Sequence, residues 1–348
     1  MDTKIKNYFS TMSFILLGYL FYTHIPYYQN FFHGEFSLIF FPNFSLKSED
    51  LFIFIVLSYA ILLIPFYIFH SEKGKALIVI EYIIKKIKNF SYKINHQEKL
   101  SILAWGVKLF YAPLMIFWFS GHISTMINNL YLTYGNRTLF SHNFYDFFNQ
   151  NLFWTAFSFI LFFDVFFFTC GYLIESPFLK NTIKSVEPTF LGWFVALACY
   201  PPFNGMIGNI IPWYSSDFPE FSHHSLHIFF NSLLLICMAI YSSASFALGW
   251  KASNLTNRGI VKNGIYKYVR HPAYIAKNTA WWIGCLPVLI DSFQIGNWKL
   301  FFIVIFCMSF WTFLYFMRAI TEERHLSRDS DYEQYKKEVP YRFIPNVY

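Results

Sequence analysis

The sequence has few charged residues and no regular cysteine spacing. Only 14% of its 348 residues are Asp, Glu, Lys or Arg, whereas a soluble domain usually carries about 25%. Hydrophobic residues make up 55%, which argues against a water-soluble fold. The five cysteines lie in apolar runs without a CxxC pair, which excludes a disulfide framework and disfavours a zinc–thiolate site. No basic, aromatic-rich motif typical of nucleic-acid binding is present, so no nucleic-acid partner is expected.

Long apolar runs recur along the chain. A helix needs about 20 apolar residues to cross the hydrocarbon layer of a membrane, and about eight runs qualify. They are Tyr8–Tyr28, Leu51–Phe69, Ile102–Ile123, Leu152–Ile174, Phe190–Ile211, Leu226–Trp250, Pro272–Ile290 and Leu300–Ile320. Because the runs are continuously apolar, they predict helices rather than the alternating strands of a barrel. We therefore expect an all-α integral membrane protein with about eight transmembrane helices, surrounded by membrane lipids. Nothing in the sequence indicates its oligomeric state.

The distribution of basic residues predicts the topology. If all eight runs cross, most of the 27 Lys and Arg residues fall on the side that carries both termini. Basic loops face the cytoplasm, so both termini are expected there, in a bacterial inner membrane or a membrane of the endoplasmic-reticulum type. The fifth run contains Pro201, Pro202, Gly205 and Gly208, which would break an ordinary helix. The charge pattern nevertheless favours a fifth run that crosses.

A polar segment, Pro212–His224, divides the chain into two predicted regions. Residues 1–224 form a membrane region of about five spans whose role the sequence does not indicate. Residues 225–348 contain three spans, a polar loop and a polar C-terminal tail. Every motif with a chemical interpretation lies in this second region, so we expect a cytosolic C-terminal cofactor-binding region.

One segment of the first region predicts a helix lying on the membrane surface, near residues 75–90. Its isoleucines share one helical face, whereas Glu81 and Lys85 are expected to pair at i,i+4 on the other. The isoleucines are Ile80, Ile83, Ile84 and Ile87. Such an amphipathic helix binds the interface between lipid headgroups and acyl chains.

The loop Asn257–Tyr274 is polar and basic and leads directly into the seventh run. Gly259 and Gly264 permit turns with positive φ. Pro272 suits the first turn of a helix, where its missing N–H would have no partner. The free backbone donors of this helix start, together with Arg270, predict a binding place for an anionic group.

A second cluster of charges ends the eighth run. Arg318 and Glu322 are four residues apart and share a helix face, and Glu323 follows. Ionisable residues at this depth in a membrane protein are candidates for a functional site. The two clusters are predicted to lie on the same membrane face.

The motif GIYKYVRHPAY, followed by EERHL and then by YEQYKKEVPYRFIP, carries a resemblance. It is similar to the C-terminal signature of membrane-embedded methyltransferases, namely isoprenylcysteine carboxyl methyltransferase and its relatives, which include phospholipid methyltransferases. The similarity covers Ser253–Tyr348. It implies S-adenosylmethionine as the methyl donor, bound on the cytosolic face, and a lipophilic acceptor that enters from the bilayer.

The resemblance also implies roles for individual positions. The implied cofactor contacts are Arg258, Gly259, Ile260, Val261, Tyr266, His271, Pro272, Ala273, Tyr274 and Glu322, to which the loop chemistry adds Gly264 and Arg270. Arg318 matches an arginine that holds the acceptor. Glu323 is a candidate base for an amine acceptor, as are His271 and His325. No metal is implied. The chain departs from the family at Ile265, where proline is usual, at Ala276, where glycine is usual, and at Asp329-Ser330-Asp331, where Phe-Gly is usual.

The sequence is compatible with several activities. Arg318 favours a carboxylate acceptor such as a prenylated cysteine, which needs no base. A phospholipid amine is the alternative acceptor. The motif RHPAY and the ending VPYRFIPNVY also resemble membrane sterol reductases that use NADPH, although those usually carry an Arg-Asp-Glu type of sequence where this chain has Thr321-Glu322-Glu323.

Two further hypotheses rest on residues outside these motifs. A transporter or scaffold would use the polar residues Lys108, His122 and Asp164 and the broken fifth run. A metal site would need the cluster of acidic and histidine residues after the fifth run, in which His223 and His227 are spaced i,i+4. The cluster comprises Asp217, Glu220, His223, His224 and His227. The cluster lacks the HExxH pattern, and we expect no metal.

Overall fold

The structure, a computed structural model, describes residues 2–41, 43–70, 72–135 and 143–347. Its helices are α1 Thr3–His24, α2 Pro26–Phe32, α3 Ser48–Phe69, α4 Lys75–Lys88, α5 His96–Gly135, α6 Phe144–Phe147, α7 Phe153–Leu173, α8 Phe190–Leu197, α9 Phe203–Gly208, α10 His224–Leu248, α11 Pro272–Gln294, α12 Trp298–Leu326 and α13 Ser330–Glu338. Its strands are β1 Glu35–Ser37, β2 Ser45–Lys47, β3 Ser185–Val186 and β4 Thr256–Asn257. The strands form two antiparallel pairs, β1 with β2 and β3 with β4. The all-helical prediction is confirmed.

Five helical segments are long and apolar enough to cross a membrane. They are Ser48–Phe69, His96–Tyr134, Phe144–Leu173, His224–Lys251 and Trp298–Leu326. Each coincides with one of the predicted runs, and together they make the chain a multi-pass integral membrane protein.

The other three predicted spans are not among these five. Helices α1 and α11 have 22 and 23 residues, long enough to cross, but their composition leaves them outside the five. The fifth run is not one spanning helix, because α8 has 8 residues and α9 has 6. At about 1.5 Å per residue, neither can cross a hydrocarbon layer of about 30 Å. The break falls between them at Pro201 and Pro202, as the sequence indicated.

The helices α5, α7, α10, α11 and α12 pack in succession. Helix α7 lies between α5 and α10, and α11 lies between α10 and α12. The buried rings of Tyr111 on α5 and Tyr172 on α7 stack with centroids 4.9 Å apart. Helix α8 packs against α12, so the short helices of the fifth run lie beside the last span.

The two predicted regions are joined by backbone hydrogen bonds. Strand β3 of the first region pairs with β4 of the second. The N–H of Lys184 donates to the carbonyl of Asn257, and the N–H of Glu187 donates to the carbonyl of Leu255, each at 2.8 Å. The segment after α7 is therefore fixed directly against the polar loop.

Helix α4 has the expected amphipathic character but different ion pairs. Ile84 and Ile87 are exposed, as an interfacial helix requires. Glu81 pairs with Lys73 at 2.9 Å, and Lys85 pairs with Glu98 at 3.0 Å, so the predicted pair between Glu81 and Lys85 is wrong. The loop before α4 and the first turn of α5 bring partners to Glu81 and Lys85, respectively.

A buried carboxylate, Glu175, ties α4 and α5 to the end of α7. Its oxygens accept from Lys75 and from Lys108, the latter at 2.6 Å, and from the N–H of Ile183 at 2.9 Å. Burial raises the pKa of the Glu175 carboxyl, but Lys108 and Lys75 outweigh burial and hold this pKa well below its usual range. Lys108, one of the residues that suggested transport, thus has a structural partner.

We expect Glu175→Gln to destabilise the protein strongly, because it leaves two largely buried ammonium groups without their counter-ion. Breaking a buried pair in this way costs about 3–5 kcal/mol. Thermal unfolding in detergent measures the change. Glu338→Gln is the control, since Glu338 makes a surface pair with Lys262 at 3.1 Å. Equal melting temperatures for the two variants would contradict this account of Glu175.

Candidate functional site

A polar cavity of about 980 Å³, counted to its open mouth, lies beside the C-terminal end of α12. Both predicted regions contribute to its wall. The first region supplies Phe168, Glu187, Gly192, Ala196 and Tyr200. The second supplies residues of the polar loop, α10, α11 and α12. The cavity is the place where the two motifs singled out from the sequence meet.

Arg318 is buried in the wall of this cavity, with 6% of its surface exposed. Its guanidinium carbon lies 5.0 to 5.8 Å from the ring centroids of Tyr200, Tyr274 and Tyr315. One Nη atom donates to Oδ1 of Asn254 at 2.9 Å. Among the described residues no carboxylate lies within ion-pair distance of this guanidinium. The aromatic rings stabilise the cation by cation–π contact and leave its remaining donors for a ligand.

Glu322 faces the same cavity from the next turn of α12. It is exposed, and the hydroxyl of Tyr274 donates to its Oε2 at 2.6 Å. Tyr266 also lines the cavity, and burial, with a further contribution from Glu322, raises the pKa of its phenol well above the ordinary value. This phenol therefore stays neutral and can donate a hydrogen bond.

Glu323 points away from the cavity lining and connects three segments of chain. Arg270 donates to Oε1 at 2.8 Å, His271 lies 3.1 Å from the same oxygen, and Arg342 donates to Oε2 at 2.8 Å. Glu323, Arg270 and His271 are each less than one tenth exposed at the side chain. Both carboxylate oxygens are thus engaged.

The C-terminal tail completes this connection through backbone bonds. The N–H groups of Arg270 and His271 donate to the carbonyls of Tyr341 and Arg342 at 3.0 and 2.9 Å. The guanidinium of Arg270 donates to the carbonyls of residues 339 and 340. The hydroxyl of Tyr335 on α13 donates to the carbonyl of Tyr266 at 2.7 Å. The tail holds the Arg-His-Pro loop against α12.

Half of the predicted site residues line the cavity. These are Tyr266, Arg270, His271, Ala273, Tyr274, Arg318 and Glu322. Arg258, Gly259, Ile260, Val261, Gly264, Pro272 and Glu323 lie outside its lining.

The residues outside the lining have structural partners or turn geometry. The Arg258 guanidinium is buried and donates to the carbonyl of Asn181 at 3.0 Å, away from the cavity. Ile260 packs against the tyrosines of α13. Gly259 and Gly264 adopt φ of +97° and +61°, which confirms the predicted turns. Pro272 begins α11, as expected.

Several lining residues were not predicted from the sequence. Glu187, Tyr200, Asn254, Lys277 and Tyr315 all line the cavity. None belongs to a motif, and the first two come from the region without an assigned role. His325, which was considered as a base, also lines the cavity, and its Nε2 is 2.9 Å from the hydroxyl of Ser185.

A second cavity of about 1,680 Å³, likewise counted to its open mouth, adjoins the first. The two share Phe168, Tyr200, Tyr241, Lys277 and Tyr315 as a common wall. The rest of the second cavity is lined mostly by apolar and aromatic side chains from the spans, and this composition suits a lipophilic molecule.

Two polar residues that suggested transport also line the second cavity, namely Asp164 and His122. Asp164 is buried, and its oxygens accept from the hydroxyls of Tyr241, at 2.8 Å, and Ser245 on α10. Helix α10 therefore supplies hydrogen-bond donors to this carboxylate, as neighbouring helices commonly do for a single polar residue in a helical bundle.

The candidate metal cluster does not assemble. Within the described ranges, no group of three His, Cys, Asp or Glu side chains is placed to hold a metal ion. Nε2 of His227 instead lies 2.9 Å from Oδ1 of Asn149, and the ring of His224 stacks on Tyr145.

The fold and the cavity define an α-helical, multi-pass membrane protein with a polar pocket at one end of its last span. Residues 215–339 match the family described as protein of unknown function DUF1295. This family is related to isoprenylcysteine carboxyl methyltransferases and to steroid-reductase-like membrane proteins. No curated protein and no solved structure matches the chain. The match begins before α10 and ends with α13, so it includes both motifs but not the cavity residues of the first region.

We expect Glu323→Gln to loosen the C-terminal tail, because Arg270 and Arg342 would lose their shared carboxylate. Limited proteolysis of the tail and the melting temperature in detergent measure the effect. Removing one member of a buried charge cluster costs about 3–5 kcal/mol. The control is Glu333→Gln, whose carboxylate pairs with Lys336 at the surface of α13. Unchanged protease resistance in Glu323→Gln would show that the tail is held by other contacts.

Proposed function

We propose that the protein is an S-adenosylmethionine-dependent methyltransferase that acts on a membrane-resident, lipophilic carboxylate such as that of a prenylated cysteine. The observation that carries the proposal is the buried guanidinium of Arg318, which lacks a carboxylate partner among the described residues and lines the polar cavity. Burying an unpaired charge is costly, so such a group is kept for a ligand that pairs with it. A carboxylate is the planar anion that guanidinium binds best.

Lys277 supports an anionic acceptor. It lines both cavities, and its ammonium lies over the rings of Tyr241 and Trp281 at 4.9 and 5.5 Å. No carboxylate of the described residues lies within 4 Å of it. Two cations, Lys277 and Arg318, therefore stand near the wall between the cavities. These cations would repel a protonated amine. The site therefore favours a carboxylate acceptor over the amine of a phospholipid.

The charges of the polar cavity favour S-adenosylmethionine over NADPH. Glu187 and Glu322 both line it, and Arg270 is neutralised by Glu323. NADPH carries several phosphate charges. Arg318 and Lys277 could attract some of them, but Glu187 and Glu322 in the same cavity would repel those beside them. S-adenosylmethionine carries a sulfonium, an ammonium and hydroxyl donors, which those carboxylates can accept. The relation of the matched family to steroid-reductase-like proteins keeps the reductase as the alternative to be tested.

S-adenosylmethionine would supply a methyl group on a sulfonium, ready for in-line displacement by a carboxylate oxygen. A carboxylate oxygen would take this methyl group, and the electron pair of the carbon–sulfur bond would stay on sulfur. A carboxylate acceptor gives up no proton, so no base is required. The chain has to orient both reactants and exclude water. Arg318 would orient the acceptor, while the shared tyrosine wall would keep the reacting atoms away from solvent.

The two cavities fit reactants of different solubility. The polar cavity lies at the end of α12 that carries Arg324 and is followed by Arg328, and the larger one lies among the spans. We propose that the polar cavity opens to the cytoplasm, in line with the distribution of basic residues. The lipophilic acceptor would occupy the second cavity and present its carboxylate through the wall to Arg318.

Substitutions at Arg318 and Glu322 should separate the two roles. We expect Arg318→Ala to reduce methyl transfer by at least about 100-fold with little change in S-adenosylmethionine affinity, because a charged hydrogen-bonded contact to the acceptor is lost. Glu322→Gln should weaken S-adenosylmethionine binding by about 10-fold. Calorimetry in detergent and transfer of labelled methyl to membrane lipids measure both.

Arg328→Ala is the matched control, since Arg328 is an exposed arginine just after the same helix. Normal methyl transfer by a folded Arg318→Ala protein would show that the site assignment is wrong. A melting temperature raised by NADPH and not by S-adenosylmethionine would favour the reductase, because only a bound ligand stabilises the folded state by mass action.

The acceptor class can be identified from the chemistry of the labelled product. We expect membranes that contain the protein and labelled S-adenosylmethionine to yield a lipophilic product whose label is released by alkali, as a methyl ester requires. Arg318→Ala membranes serve as the background. Label that resists alkali and remains in a phospholipid headgroup would contradict the carboxylate acceptor and indicate N-methylation.

A further inference from the structure

Glu187 has an unusual environment for a carboxylate in a membrane protein. Its side chain is 3% exposed, and it lines the polar cavity. Oε1 accepts from the backbone N–H and the hydroxyl of Thr189 and from Arg324 at 3.0 Å. Oε2 is buried and has no hydrogen-bond partner among the described residues. One oxygen is thus held in place by the protein, and the other is left for a ligand.

The surrounding backbone is shaped to hold this side chain. The N–H of Glu187 donates to Leu255, and its carbonyl accepts from the indole N–H of Trp193 at 2.7 Å. A Cβ at Gly192 would overlap the Cγ of Glu187 and lie 2.8 Å from Oε1, so only glycine leaves room for the carboxylate. These contacts fix Glu187 on both its main chain and its side chain.

An unsatisfied oxygen of a buried carboxylate costs about 1–3 kcal/mol, more when the group is charged. This cost is recovered when a ligand donates to it, and a cationic donor recovers most because charge-assisted hydrogen bonds are the strong ones. Arg324 offsets part of the charge, but its side chain is 43% exposed and it contacts only Oε1. Oε2 therefore has the chemistry of an ammonium acceptor.

We propose that Glu187, a residue outside the matched family segment, binds the α-ammonium of S-adenosylmethionine through Oε2. This inference rests on the proposed function and adds to it a residue of the first region that positions the methyl donor. It also gives residues 1–224 a direct part in the site. Arg318 and Glu187 then serve opposite charges in one cavity, the first an anionic acceptor and the second a cationic group of the donor.

The test is Glu187→Gln, which keeps the size and most hydrogen-bonding capacity of the side chain but removes its charge. Binding of S-adenosylmethionine, S-adenosylhomocysteine and 5′-methylthioadenosine is measured by calorimetry on the full-length protein in detergent. The first two ligands should bind about 10- to 100-fold more weakly to the variant. 5′-Methylthioadenosine, which lacks the amino-acid part, should bind both proteins equally.

Two further variants separate ligand binding from support of the fold. Thr189→Val removes a contact to Oε1 and leaves Oε2 in place, so it should not discriminate among the three ligands. Gly192→Ala should displace the carboxylate and reproduce the selective loss, which gives a second route if Glu187→Gln does not fold. The melting temperatures of the unliganded proteins report on folding.

The outcomes distinguish this inference from the proposed function. Wild-type protein that binds none of the three ligands would overturn both. Wild-type binding of S-adenosylmethionine with unchanged affinity in Glu187→Gln would overturn only the role of Glu187. The role of Glu187 would also be overturned if Glu187→Gln lost affinity equally for all three ligands. It would be overturned too if Thr189→Val lost affinity as selectively as Glu187→Gln. Selective loss confined to Glu187→Gln and Gly192→Ala supports it.

Discussion

The carboxylate of Glu323 is the contact on which the geometry of the site depends. It joins the polar loop through Arg270 and His271, the C-terminal tail through Arg342, and α12 through its own backbone. A buried carboxylate without these donors would be strongly unfavourable, so the three segments have to meet at one place. Its neighbour in the sequence, Glu322, points to the cavity instead. The double-glutamate motif thus divides into one residue that joins the segments around the site and one that faces the cavity.

Lys108 and Arg318 show that the partners of a buried basic residue indicate its role better than its depth in the membrane does. Lys108 and Arg318 both lie in apolar helices and both looked like functional candidates. Lys108 pairs with Glu175, whereas Arg318 has aromatic rings and the amide of Asn254 around it. A charge with a local counter-ion supports the fold. A charge that is stabilised only by polarisable rings and one amide retains most of its attraction for an external anion.

The sequence predicted what depends on local pattern and missed what depends on long-range packing. Apolar runs gave five spans correctly, and glycine and proline located the turns and the start of α11. The break in the fifth run was predicted from its prolines and glycines, whereas the bounds of the two short helices on either side could not be predicted. The side-chain contact of Arg258 could not be predicted, because its guanidinium reaches the carbonyl of Asn181, 77 residues earlier in the chain. Glu187 belongs to no sequence motif that predicts a site, because it reaches the cavity only through the pairing of β3 with β4.

The pairing of β3 with β4 brings both regions of the chain to a place where a water-soluble donor and a lipid could react. The donor needs polar contacts and the acceptor needs an apolar chamber, and the two environments exclude each other unless a wall separates them. Here the shared wall consists mainly of tyrosines, whose rings face apolar surroundings while their hydroxyls bond to neighbours such as Asn254 and Asp164. Tyr200 comes from the first region and Tyr315 from the second, so neither region alone forms the wall. If methyl transfer occurs at this wall, residues 1–224 are part of the catalytic unit and not only a membrane anchor.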